Sequence, residues 1–186
     1  MSPIEIVAAI VTVASIALAT RENVWYYPTG IASVLLYAWV YFSARLYAES
    51  MLQLIWLALM IYGWHQWLHG GANKRELPVT RTTRWGWIVV AFLGLVLSAI
   101  IIGIQRRWTN NPAPYVDSSI AAWSIVAQWM TARKWIENWI LWIVINVAAV
   151  ALYINRQLWP TAVVYAILFI LGIEGYRKWR KSLVSF

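Results

Sequence analysis

The sequence contains no cysteine. Disulfides, iron–sulfur clusters and thiolate chemistry are thereby excluded. Charge is scarce as well: 12% of the 186 residues are Asp, Glu, Lys or Arg, about half the share usual in a soluble domain. Acidic groups are the rarer sign, seven against fifteen basic ones. No carboxylate falls in the centre of any apolar run, the place where an ionisable relay would sit in a membrane helix. A Gly-rich phosphate loop ending in Lys-Ser or Lys-Thr is missing, so ATP hydrolysis by this chain is not expected. Two histidines and a handful of acids do not assemble a Ser/His/Asp set. The pair His65 and His69 has a metal-compatible spacing but no third ligand nearby, so neither a metal nor a cofactor is expected. Met1 to Glu5 carries no basic residue, which argues against a cleaved secretory signal.

What the chain does have is apolar length. Hydrophobic residues make up 62% of it, and seven windows carry no charge at all: 6–20, 24–44, 50–68, 85–105, 118–132, 138–155 and 157–173. Crossing a hydrocarbon core of ~30 Å takes roughly 20 helical residues, and backbone in lipid must pair with itself. The expected fold is therefore an all-α integral membrane protein with seven transmembrane helices. The net charge of +8 needs no nucleic acid to explain it, because the basic residues fall between the windows. Arg21, Lys74, Arg75, Arg81, Arg84, Arg133, Lys134, Arg177, Lys178, Arg180 and Lys181 share one side, and Arg45, Arg106, Arg107 and Arg156 share the other. That asymmetry predicts an external N-terminus and a cytoplasmic C-terminus.

Tryptophan is abundant, with 15 copies. Trp25, Tyr26, Tyr27, Trp67, Trp85, Trp108, Trp159 and Trp179 stand at window ends and read as an interfacial aromatic belt. Sliding the chain on itself by 112 residues pairs Glu5 with Asp117, Arg21 with Arg133, Tyr41 with Tyr153, Leu46 with Leu158, and the Gly63–Trp67 stretch with Gly175–Trp179. Windows one to three thus match windows five to seven, and window four has no counterpart. Two three-span units joined directly would face opposite ways, whereas one linker span restores parallel repeats. The expected organisation is residues 1–70 as a first three-helix repeat, 71–110 as a cytoplasmic loop and linker helix, and 111–186 as a second repeat with a basic tail.

Polar side chains inside apolar windows are costly and usually line a pathway. Trp135, Asn138, Trp139, Trp142 and Asn146 follow steps of three and four, which would set them on one helix face. Two indoles a turn apart with an amide beyond them could stack a flat ring and hydrogen-bond its substituents. The same residues could equally pack against neighbouring helices. Ser124 and Gln128 share a face on helix five, while Gln53 and Tyr165 occupy equivalent positions in helices three and seven. Any of these could also serve as interhelical glue.

The segment Glu137-Asn138-Trp139-x-x-Trp142-x-x-x-Asn146, together with Asp117, Gln128-Trp129, Arg133-Lys134, Tyr153, Thr161-Ala162, Tyr165, Gly175-Tyr176 and Trp179, resembles the PnuC family of nicotinamide riboside transporters. Arg21-Glu22-Asn23, Pro28-x-Gly30, Tyr37, Leu46-Tyr47-Ala48, Leu52-Gln53 and Tyr62-Gly63-Trp64 extend the resemblance through the first half. It implies a seven-helix protein of two three-helix bundles and a linker, assembled as a homotrimer in the bacterial inner membrane. It further implies uptake of nicotinamide riboside by facilitated diffusion, with cytoplasmic phosphorylation trapping the substrate. Related branches carry thiamine, riboflavin or deoxynucleosides. By this resemblance Trp139, Trp142 and Asn146 bind substrate, helped by Gln128, Gln53 and Tyr165. Readings of a different class are a membrane enzyme or a structural subunit, and no catalytic constellation supports the first.

Overall fold

The computed structural model describes residues 3–108 and 114–183. The expected boundary between residues 110 and 111 lies outside the described residues, as do the side chains of Tyr47, Ala48, Lys74 and Trp108. Seven α-helices follow one another: α1 Pro3–Ala19, α2 Tyr26–Ser43, α3 Tyr47–His69, α4 Arg84–Trp108, α5 Pro114–Ala132, α6 Asn138–Asn155 and α7 Trp159–Trp179. Every charge-free window falls on one of them. Proline opens α1 and α5 and sits in the first turn of α7, where its missing N–H would have had no helical partner. The seventh window starts two residues before its helix because Gln157 is left-handed, with φ 57°. By length and composition α4, α6 and α7 are long and apolar enough to cross a membrane, and α1 is a shorter apolar helix. The remaining three, α2, α3 and α5, carry much of the polar lining described below.

Within the first half α1 packs on α2 and α2 on α3; within the second, α5 packs on α6 and α6 on α7. The halves meet through α3 against α5 and α1 against α7, while α4 lies mainly on α5. Several local features recur 112 residues apart. Left-handed Glu22 and Lys134 follow α1 and α5 with φ 56° and 49°, and left-handed Arg45 and Gln157 follow α2 and α6 with φ 61° and 57°. The Trp67 indole donates to Thr131 O at 3.0 Å, and that of Trp179 donates to Ala19 O at 2.9 Å. Gly63 and Gly175 recur too, for a steric reason. A Cβ on Gly63 would stand 2.5 Å from the Tyr27 ring, and one on Gly175 2.5 Å from the Trp139 ring.

The aromatic belt needs correcting. Trp25, Trp85 and Trp159 are exposed, but Trp67, Trp179, Tyr26 and Tyr27 are buried together with Val79 and Ile136. A buried indole N–H usually finds an acceptor, and the Trp67 and Trp179 indoles each find a carbonyl at the end of an opposite helix, shared with the backbone N–H of Lys134 and Glu22 respectively. The segment after α3 closes over this cluster. Leu77 N donates to Trp67 O, and Thr80 forms a parallel bridge with Trp135, with N–H bonds to Lys134 O and from Ile136 N. Glu137 accepts from both the backbone and the hydroxyl of Thr82 at 2.8 Å. Beneath, the Lys134 ammonium lies 4.6 Å over the Trp67 ring and 3.6 Å from Glu22. Burial pushes that ammonium below its usual pKa, and Glu22 pulls the other way.

A cavity between the two helix sets

A cavity of about 630 Å³ runs between the two halves, lined by α1, α2, α3, α5, α6 and α7. All seven residues singled out from the sequence line it: Gln53, Ser124, Gln128, Trp139, Trp142, Asn146 and Tyr165. Their spacing brings this about simply. Ser124 and Gln128 are one turn apart on α5, and Trp139, Trp142 and Asn146 follow one stripe of α6.

Hydrogen bonds hold several of these side chains still. The Tyr26 hydroxyl donates to Gln128 Oε1 at 2.9 Å. The Trp142 indole donates to Thr131 Oγ1 at 3.2 Å. That hydroxyl lies 2.9 Å from Ala127 O and 3.0 Å from Asn138 Oδ1, and gives its proton to one of them. Trp139 is wedged by the close approach of Gly175 and meets Trp179 edge-on at 5.4 Å. Tyr165 stacks on Tyr153 at 5.2 Å, and Tyr37 on Tyr41 at 5.9 Å.

Two polar atoms in the wall stand apart. Among the described residues, Trp139 Nε1 and Asn146 Oδ1 are buried without a hydrogen-bond partner. Leaving such a group unpaired costs about 1–3 kcal/mol, so a solute offering one acceptor and one donor would be favoured here. The lining contains three carboxylates, Glu5, Glu49 and Asp117, and no Lys or Arg.

Two of the residues grouped with the tryptophan stripe do not belong to it. Trp135 precedes α6, because left-handed Lys134 breaks the helical period. Its ring meets Trp129 edge-on at 5.1 Å beside the Arg133 guanidinium, away from the cavity. Asn138 is fully buried and bridges Trp135 O to Thr131, fastening the start of α6. Trp123 and Trp129 likewise pack with Val90, Leu93 and Leu97 of α4. Sequence reasoning overlooked Trp56, Thr131 and Glu49, and it named Tyr26 only as a belt residue and Tyr37 only within the resemblance; all five line the cavity. The 112-residue offset carried one usable signal, since it pairs Tyr26 and Tyr27 with Asn138 and Trp139. Glu5 and Asp117 do sit in first helical turns as capping requires, yet they also face the cavity.

Residues 2–181 match the family described as nicotinamide mononucleotide transporter. The chain is 28% identical to the nicotinamide riboside transporter PnuC of Escherichia coli (strain K12), over 98% of this chain and 87% of that one. It is 26% identical to the riboflavin/roseoflavin transporter RibM of Streptomyces davaonensis, over 94% and 83% of the two chains. A crystal structure of the vitamin B3 transporter PnuC superposes with a TM-score of 0.73 at 24% identity, covering 94% of this chain and 79% of that one.

Proposed function

This chain belongs to the nicotinamide mononucleotide transporter family, and from that premise we propose that it takes up nicotinamide riboside by facilitated diffusion. It is a multi-pass membrane transporter and not an enzyme; the proposal concerns what it carries and how. The observation that carries the reading is the cavity wall. A carboxamide supplies both an acceptor for Trp139 Nε1 and a donor for Asn146 Oδ1, the two buried atoms of the cavity wall without a partner among the described residues. A pyridinium ring is drawn to aromatic faces by roughly 0.5–2 kcal/mol each, and Trp142, Trp56 and the tyrosines provide them. A wall with three carboxylates and no basic side chain suits a cation and repels a phosphate monoester. The riboside is therefore favoured over the mononucleotide, and phosphorylation in the cytoplasm would trap what has entered.

Access alternates as the two halves rock about this site. The halves are read as parallel three-helix repeats with α4 as linker, and all seven helices as spans, with the N-terminus outside the bacterial inner membrane. What supports the repeat is the recurrence of backbone turns, glycines and crosswise indole bonds at one offset. The protein assembles as a homotrimer with one pathway per protomer, an arrangement that mass measurement in detergent would test.

The decisive experiment is uptake of labelled nicotinamide riboside into liposomes carrying the purified protein. Trp139→Ala and Asn146→Ala should reduce it at least tenfold with assembly intact, and normal uptake by both variants would sink the site assignment. Riboflavin is the second reading, favoured by the similarity to RibM, and thiamine is a third. Unlabelled riboside, mononucleotide, riboflavin and thiamine as competitors rank the readings directly.

A further inference from the structure

The protein has few acids, and three of its seven line one cavity. Glu5, Glu49 and Asp117 each occupy the first turn of their helix, α1, α3 and α5. Those three helices begin at the same end of the molecule, opposite the end closed by Trp67 and Trp179. Helix capping explains a first-turn acid; it does not explain why all three border one opening. No group of three acidic or histidine side chains converges tightly enough to hold a metal among the described residues. The acids ring a mouth instead.

Flat aromatic surface lies directly inside them. Tyr37 stacks on Tyr41 and Tyr153 on Tyr165, with ring planes 22° and 21° apart. Glu5 and Glu49 are within electrostatic reach of Tyr41, and Asp117 of Tyr153, where the Arg156 guanidinium offsets part of its charge. Deeper in the same cavity waits Asn146, 3% exposed, whose Oδ1 has no partner among the described residues. A wet acidic rim, an aromatic sleeve and an unsatisfied buried acceptor thus succeed one another along one passage.

We propose that this mouth is an antechamber selecting aromatic monocations, in which Glu5, Glu49 and Asp117 concentrate the cation and the tyrosine pairs hold its ring before it reaches Trp139 and Asn146. The inference rests on the cavity being the solute pathway. It adds that discrimination begins at the rim, by charge, before the inner site reads the ring's substituents. Clefts of one sign with low-dielectric walls raise local counter-ion concentration tenfold or more. The stacked rings add cation–π attraction that a neutral ring would lack. Because rim charges are screened beyond about 8 Å at physiological salt, the selectivity should weaken as salt rises.

The test compares the wild type with Glu5→Gln/Glu49→Gln/Asp117→Asn and with Glu49→Gln alone, whose exposed side chain can change without disturbing packing. Equilibrium dialysis of the purified full chain measures binding of 1-methylnicotinamide, a pyridinium cation, against neutral nicotinamide. The wild type should prefer the cation about tenfold at low salt. The triple variant should lose most of that preference and keep only the salt-insensitive part that the stacked rings supply, with nicotinamide binding unchanged, and Glu49→Gln should lose a smaller share. An equal preference in all three proteins overturns the proposal, as does a wild type that binds both probes alike. Uptake of nicotinamide riboside is measured alongside. Cation preference without riboside uptake would leave the antechamber standing and remove the riboside reading; riboside uptake with no rim effect would do the reverse.

Discussion

The Tyr26 phenol donates to Gln128 Oε1, while the amide Nε2 of Gln128 reaches Met60 Sδ at 3.7 Å. Tyr26→Phe would leave Gln128 Oε1 buried and unpaired, lowering stability by about 1–3 kcal/mol, to be read as a fall in detergent-phase unfolding temperature. The glycines give a sharper contrast. Alanine at Gly175 would press its methyl into the Trp139 ring, at a cost of about 1–3 kcal/mol and with weakened solute binding. Gly103 has nothing within 4 Å of the same methyl, so Gly103→Ala should leave thermal unfolding and uptake unaltered. At this scale Gln128, Asn146 and the two cavity tryptophans were legible, because a polar or indole group amid aliphatics has few tolerable directions. Thr131 and Tyr26 were not: a hydroxyl that satisfies its own helix and a tyrosine at a helix end look the same in sequence whether or not they face a cavity. Trp135 was misplaced because one left-handed residue shifts the helical phase, and Lys134 gives no sequence sign of φ 49°.

Among the elements, α6 is held at its start by Asn138 and by the strand-like contact of residues 80 and 135. The closed end depends on two indole donors, one from α3 and one from α7. Trp67→Phe/Trp179→Phe keeps the rings and removes both bonds, so that end should open more often. Since the chain has no native cysteine, a Ser15→Cys reporter in the cavity wall can be labelled alone. Maleimide added to inside-out vesicles should modify it about tenfold faster in the double variant, and an unchanged rate would mean closure lies elsewhere. The helices themselves were readable from charge-free windows, with ends set by proline and by left-handed turns. The segment after α3 was not, because its pairing with residues 134–137 joins parts of the chain more than fifty residues apart.

For the molecule as a whole, the gapless 112-residue offset in the sequence is matched by turns, glycines and indole bonds at the same offset, which supports the proposed repeat. Hidden from the sequence was how the halves interlock: Trp67 and Trp179, taken for part of an interfacial belt, are turned inward across the seam. Residues 1–108 carry the Trp67 donor and the Ala19 acceptor; the remainder carries the Thr131 acceptor and the Trp179 donor. Ala19 O and Thr131 O each accept a backbone N–H of their own portion, from Glu22 and Lys134, but each portion leaves its indole donor stranded until the other arrives. Made as two separate polypeptides, 1–108 and 109–186, neither should persist in cells by itself, whereas co-expression should rescue both in equal amounts. The seam is thus a mutual quality check, letting a half survive only in the company of its complement.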